Sequence, residues 1–180
     1  MNLQAISHLP AFASKHEVNA VVETPQGSRN KFDFNPESGL FELGSAMPAG
    51  VTFPFEFGFI PSTLGMDGDP LDVLILMDAP TFVGCVAKVR LIGVIEAKQT
   101  AEKGKPVRND RLIGVATESR RHEGIRSVQD VPDELVKEIE CFFVGYNEIK
   151  GRRFKMLGCH GPARARKLVK AGMKLAKESE

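Results

Sequence analysis

The sequence predicts an α+β fold: a small barrel or folded sheet with helices carried outside it. Two patterns lead there. Short β-prone segments separated by turn residues run to about residue 120, and helical periodicity takes over near residue 130. Size and composition agree. A chain of 180 residues, 42% hydrophobic and 26% charged, is long enough to bury a real core and is expected to form one domain, 1–180.

The elements follow in order. Residues 1–16 form an irregular lead-in. VNAVVET (18–24) is rich in β-branched residues, and Pro25-Gln-Gly27 ends it. NKFDF (30–34) alternates polar and apolar, so it is a half-buried strand that can pair with 39–43 across the turn Pro36-Glu-Ser-Gly39. In VTFPFEFGFIP (51–61), Phe53, Phe55, Phe57 and Phe59 recur at period two, while Pro54 makes the segment an edge or irregular strand. LDVLILM (71–77) is apolar on both faces, the mark of a doubly covered strand. A long β-prone run (82–98), a polar loop (99–109) and RLIGVAT (111–117) complete the strands. Leu135, Ile139, Phe142 and Tyr146 recur at spacings of three and four, so 130–149 is a helix with Pro132 in its first turn. A second helix spans 162–180, with Ala165, Leu168, Val169, Gly172 and Ala176 on one face.

Charge and cysteine usage narrow the function classes. A net charge of +1 gives no electrostatic reason to expect nucleic acid or an anionic membrane as partner. Cys85, Cys141 and Cys159 are odd in number and far apart, which points to a reducing, cytoplasmic setting. The N-terminus does not read as a signal peptide, and no apolar run approaches the ~20 residues of a membrane span. His8, His16, His122 and His160 show no metal-ligand spacing. There is no G-x-S-x-G elbow, and Gly104-Lys105-Pro106 is not a Walker loop. The basic runs at 121–127 and in the last helix read as solvated faces.

One segment stands apart. MDGDPLDVLILM (66–77) sets Asp67, Asp69 and Asp72 within six positions, the last at the edge of an apolar strand. Gly68 and Pro70 bend the chain so that the three carboxylates converge. Two such charges ~4 Å apart repel by about 4 kcal/mol at an effective dielectric near 20. A shared proton, a basic partner or a divalent cation must offset this. Oxygen ligands without clustered His or Cys favour Mg²⁺, Mn²⁺ or Ca²⁺ over Zn²⁺. An Asp-rich turn bonded to backbone amides would also explain the pattern, whereas an EF-hand would not.

Asp67-Gly-Asp69-Pro-Leu-Asp72-Val resembles the signature of the family I soluble inorganic pyrophosphatases. The flanks PFEFGFIPSTLG (54–65), GCVAKVRLIGVIE (84–96) and FFVGYNEIKG (142–151) are similar to the family's in the same order, over about residues 17 to 160. The resemblance implies an OB-like closed or partly closed β-barrel with two main helices outside, packed from the C-terminal half. It implies Mg²⁺-dependent hydrolysis of inorganic diphosphate to two phosphates by a metal-activated water, with Mn²⁺ a possible substitute. A homo-oligomer follows by family analogy, a hexamer in the bacterial-type relatives. Carried over by position, Asp67 and Asp72 are metal ligands, Glu23 supports the metal site, and Asp69 accepts a proton from the attacking water. Lys31, Arg111 and Tyr146 bind phosphate, and Asp33 stands where the family usually has Glu.

The chain also departs from the family pattern. Two positions that are usually Asp read Gln99 and Asn109, and the usual Lys reads Arg111. Asp110 can supply the missing carboxylate as a metal ligand if the loop is re-registered. The Arg expected in LFELGSAM is absent, with Arg29 or Arg108 as stand-ins. Phe53 and Phe57 replace two tyrosines, and Asn147 replaces the Lys after Tyr146. These losses keep a second class open: a weakened or silent paralogue acting as an OB-like phosphate, nucleotide or protein-binding module.

Overall fold

The computed structural model describes residue 6, residues 8–100 and residues 104–179. Residues 1–5 and 7 of the lead-in, the loop tip at 101–103 and Glu180 lie outside the described residues. Nine strands and two longer helices follow the chain as β1 (Val18–Thr24), β2 (Asn30–Asn35), β3 (Leu40–Ala46), β4 (Glu56–Ile60), β5 (Leu71–Leu76), β6 (Val86–Thr100), β7 (Pro106–Arg108), β8 (Arg111–Ala116), α1 (Asp133–Ile149), β9 (Phe154–His160) and α2 (Pro162–Ser179).

The main sheet runs β1-β4-β5-β8-β6, and β6 returns to pair with β1, so five strands close into a ring. This is the OB-like barrel. The 15-residue β6 makes closure possible, because one strand serves β1, β8, β7 and β9 in turn. Register shifts at Leu91/Gly93 against β8 and at Glu96/Ala97 against β9 bend it around the barrel. β2 and β3 form a separate hairpin, as the alternation of 30–34 predicts. β5 and β8 lie parallel, with Val73 beside Leu112.

Burial follows the pattern of each strand. Leu74 and Leu76 on one face of β5 join a cluster with Phe53, Phe57, Ile113, Ile139 and Phe143. Val73 and Ile75 on the other face join Val22, Ile60, Leu112, Ala165 and Val169. Both faces of β5 are therefore covered, the first by α1 and the second by α2. The helix over 130–149 begins only at Asp133, after a short 3₁₀ turn at Val128–Asp130. Its fully buried stripe is Ile139, Phe143 and Asn147, with Leu135, Phe142 and Tyr146 partly buried beside it.

Three features escape a reading of local pattern. Regular pairing in 51–61 is confined to Glu56–Ile60, and Glu56 is buried despite its charge, accepting from the Thr81 amide (2.7 Å). The polar loop contains β7, which folds back on the end of β6. FKMLGCH pairs with β6 as β9, although its own pattern is weak.

Candidate active site

The signature bend occupies the turn between β4 and β5. Gly68 has φ of 95°, a left-handed conformation that side-chain-bearing residues rarely adopt. Gly65 N donates to Asp69 O (2.7 Å), and Asp69 N donates to an Asp67 carboxylate oxygen (3.4 Å). Thr63 holds the base of the turn: its hydroxyl donates to Ile60 O (2.6 Å) and accepts from Leu71 N (3.1 Å). The turn thus presents Asp67 and Asp69 from its tip and Asp72 from the first residues of β5.

Register supplies the next group. Because Val73 pairs with Leu112, the residues just before them, Asp72 and Arg111, start their parallel strands side by side. Arg111 Nη1 donates to the Asp72 carboxylate and to the Asn109 side-chain oxygen. The guanidinium lies 5.0 Å from the Phe143 ring centre and 6.0 Å from that of Phe57, and its Nε–H is buried without a partner among the described residues.

Glu23 and Lys31 come from β1 and β2. Lys31 Nζ donates to Glu23 (3.2 Å), Asp33 (2.5 Å) and the Phe32 carbonyl (2.8 Å). The other Glu23 oxygen accepts from Phe34 N (2.9 Å). Gly44, on the neighbouring β3, leaves the space that the Asp33 carboxylate fills, since a Cβ there would lie 1.8 Å from Asp33 Oδ2. A side chain at Gly44 would require the Asp33 carboxylate to turn away.

These groups line one cleft of about 550 Å³. Glu23, Lys31, Asp33, Asp69, Asp72, Asn109, Arg111 and Tyr146 all face it, with Phe57 and Phe59 as apolar walls. Asp67 lines an adjacent hollow of about 440 Å³ beneath α2, and Asp72 and Asn109 form the wall between the two. Crowding shows in the acidities. Burial, then the charges of Asp72 and Asp69, push Asp67 up to about 6. Burial also raises Asp72, against the pull of Arg111 and Lys31, and it pushes Glu23 up to about 7 against Lys31. Burial works against the charge of Lys31, but Glu23 and Asp33 more than offset it and hold its ammonium above the ordinary range.

The fold places Asn109 and Asp110 differently. Asn109 is buried and lines both the cleft and the adjacent hollow, whereas Asp110 lines only the hollow, with Asp67 and Asp72. The Asp110 carboxylate accepts from Arg108 Nε (2.5 Å) and Ala97 N (3.0 Å), within a network in which Arg108 and Arg164 both bond Glu96. Neither stand-in for the missing Arg reaches it. Arg29 donates to the Met47 carbonyl (2.9 Å), and Arg108 is engaged with Glu96 and Asp110. Instead, Lys150 and Arg152, at the end of α1, line the cleft beside Tyr146. Sequence reading missed both, although Lys150 lies one helical turn beyond Tyr146.

A five-stranded OB-like barrel whose cleft sets acidic groups beside the cations Lys31 and Arg111 defines a protein that handles phosphorylated anions. The inorganic pyrophosphatase family model matches residues 20–177, and this chain belongs to that family. It is 38% identical over 152 residues to the inorganic pyrophosphatase of Geobacillus stearothermophilus, covering 84% of this chain and 89% of that protein. The relative from Synechocystis sp. is 33% identical over 153 residues, covering 85% and 88%. The solved inorganic pyrophosphatase from Thermus thermophilus superimposes with a TM-score of 0.86 at 35% identity, over 96% of this chain and 98% of that one.

Proposed function

We propose that the protein hydrolyses inorganic diphosphate to two phosphates with a divalent cation, Mg²⁺ or, as a substitute, Mn²⁺. The observation that carries this reading is the juxtaposition of the signature carboxylates Asp69 and Asp72 with Lys31, Arg111 and Tyr146 around one cleft, with Asp67 in the hollow beside it, in a chain of this family.

The donor set fits a hard cation. Asp67 and Asp72 are both held above the ordinary carboxylate range by burial, and each raises the other or is raised by Asp69. Among the described residues no three acidic, His or Cys side chains close around a point by themselves. That suits Mg²⁺, which is held by one or two carboxylates and keeps waters or substrate oxygens in its remaining positions. Asp67 and Asp72 are the residues to hold it, with Asn109 as a neutral oxygen donor nearby and Asp110 left to its structural pair. When bound, the cation neutralises substrate charge and acidifies its coordinated water.

The chain's own groups do the rest. Asp69, exposed at the tip of the turn, accepts the proton of the water that attacks phosphorus. The new P–O bond forms as the bridging P–O bond breaks, and the leaving phosphate departs with its charge met by cations. Lys31, held charged by Glu23 and Asp33, and Arg111, which lines the cleft, meet the phosphates as cations. Glu23 acts through Lys31 and the Phe34 amide, positioning rather than touching substrate. A reducing cytoplasm and a homo-oligomer, hexameric by family analogy, complete the reading. No helix among the described residues is long and apolar enough to cross a membrane.

Phosphate release from diphosphate, measured with Mg²⁺ and with chelator, is the test. Activity that needs the cation supports the reading. Metal-independent turnover, or no turnover with any divalent cation, overturns it.

A further inference from the structure

Asn147 follows Tyr146 on α1, at the position where a cation is missing. Its side chain is buried, and Nδ2 donates to the Phe143 carbonyl one turn back (2.8 Å). Asn147 lines the cleft, but its Nδ2 is engaged with the helix backbone and the neutral amide offers the cleft no charge. Lys150 is the C-cap of the same helix, four residues beyond Tyr146 and on the same face. Its Nζ lies 2.5 Å from Tyr146 Oη and 4.5 Å from the centre of the Tyr146 ring, and both residues line the cleft.

We propose that Lys150 is a positioning residue for the substrate's phosphates, directing the Tyr146 hydroxyl proton into the cleft. An ammonium has donors and no acceptor, so in this bond Lys150 donates and the phenol oxygen accepts. The phenol O–H must then donate elsewhere, and among the described residues no acceptor receives it. The ring cannot turn away, because Phe53 packs edge-on against it at 5.7 Å and Phe142 stacks on it at 5.9 Å. The hydroxyl is left aimed as a donor at an anion in the cleft.

Charge argues the same way. An anion beside the C-terminal end of a helix meets the negative end of its dipole. A cation at the C-cap offsets that repulsion where α1 ends against the cleft. Gly151, with φ of 66°, then turns the chain so that Arg152 also lines the cleft. The inference rests on the diphosphatase reading and deepens it: one phosphate of the substrate is held at the end of α1 by Tyr146 under the control of Lys150.

The experiment compares Lys150→Met, Lys150→Arg, Tyr146→Phe and the Lys150→Met/Tyr146→Phe double variant. It uses the full chain with Mg²⁺ and measures steady-state kinetics, calorimetric binding of inorganic phosphate, and thermal melting. A charge-assisted hydrogen bond to a bound anion is worth about tenfold in affinity. Lys150→Met is expected to raise KM and the phosphate Kd together by about tenfold, with kcat changed less than about threefold. Lys150→Arg restores most of the affinity, and the double variant binds no more weakly than Tyr146→Phe, because Lys150 acts through that hydroxyl. An unchanged KM and phosphate Kd in Lys150→Met, or full additivity in the double variant, overturns the proposal. So does a melting shift without an affinity change, which marks a purely structural lysine. If the wild type hydrolyses no diphosphate, the underlying reading falls instead, and phosphate binding still reads the Lys150 contribution alone.

Discussion

Arg111 donates to the carboxylate of Asp72 although 39 residues separate them, because their strands begin side by side in parallel register. The pair joins two demands. Asp72 is largely buried and needs a positive neighbour, and the cleft needs a cation to meet phosphate.

Removing that cation exposes both demands. Arg111→Met leaves Asp72 uncompensated and Asn109 without its donor. The expected outcome is a loss of about 2 kcal/mol in urea unfolding and a fall in kcat/KM of at least ~10². Arg111→Lys keeps the charge but not the fork, so its stability should stay close to wild type while kcat/KM falls by an intermediate factor. Wild-type kinetics in Arg111→Met would remove the residue from substrate binding.

The two outer roles of the signature separate by measurement. Asp69→Ala is expected to lower kcat by at least ~10² with metal affinity little changed, as befits a proton acceptor. Asp72→Asn is expected to weaken Mg²⁺ binding, followed by calorimetry, while the circular dichroism spectrum stays native. Near-normal turnover in the first variant, or an unaltered metal titration in the second, counts against the assigned role.

Asn109 and Asp110 make opposite predictions. Asn109→Asp adds a carboxylate to the cleft beside Asp72, so Mg²⁺ should bind about tenfold more tightly. Asp110→Asn removes the charge that pairs with Arg108 and weakens the bonds to Arg108 and the Ala97 amide, so it should lower stability by about 1 to 2 kcal/mol without moving the metal titration. The reverse result would mean that the loop re-registers in solution.

Glu56 yields a pH signature away from the cleft. Burial holds its carboxyl above the ordinary 4.5, against the Thr81 amide that stabilises its charged form. Just above pH 4.5 the folded protein keeps a proton that the unfolded chain has lost. The native state therefore binds more protons, and stability falls as pH rises through that window. Denaturant unfolding from pH 4 upward should show this slope, to which the raised Asp67 and Glu23 also contribute, and Glu56→Gln should make it shallower. An identical slope in the variant assigns the dependence to other groups.

Much of this architecture was legible from local pattern. Two-sided apolar character marked β5, alternation marked the β2–β3 hairpin, and three-four spacing marked both helices. The signature bend was legible because Gly and Pro impose it on any chain that carries them. β9 was not, since a strand whose faces are only partly covered has weak periodicity and is made by the edge of β6 that it finds. Glu56 was missed for a related reason. A charged residue on an alternating segment reads as solvent-facing until a loop amide from Thr81 is seen to cover it.

By itself the sequence determined the sign and order of the chemistry: three aspartates on a glycine-proline bend, a Glu and a Lys before them, an Arg and a Tyr after. Only the tertiary structure decided which groups meet. Closure of the ring through β6, together with the parallel start of β5 and β8, put Asn109 on the cleft and Asp110 on the neighbouring hollow and set Arg111 on Asp72. The end of α1 brought Lys150 to Tyr146 at the cleft. The physical reason is range: turn chemistry and periodicity act over a few residues, whereas facing across a cleft depends on strand register and helix packing between segments far apart in the chain.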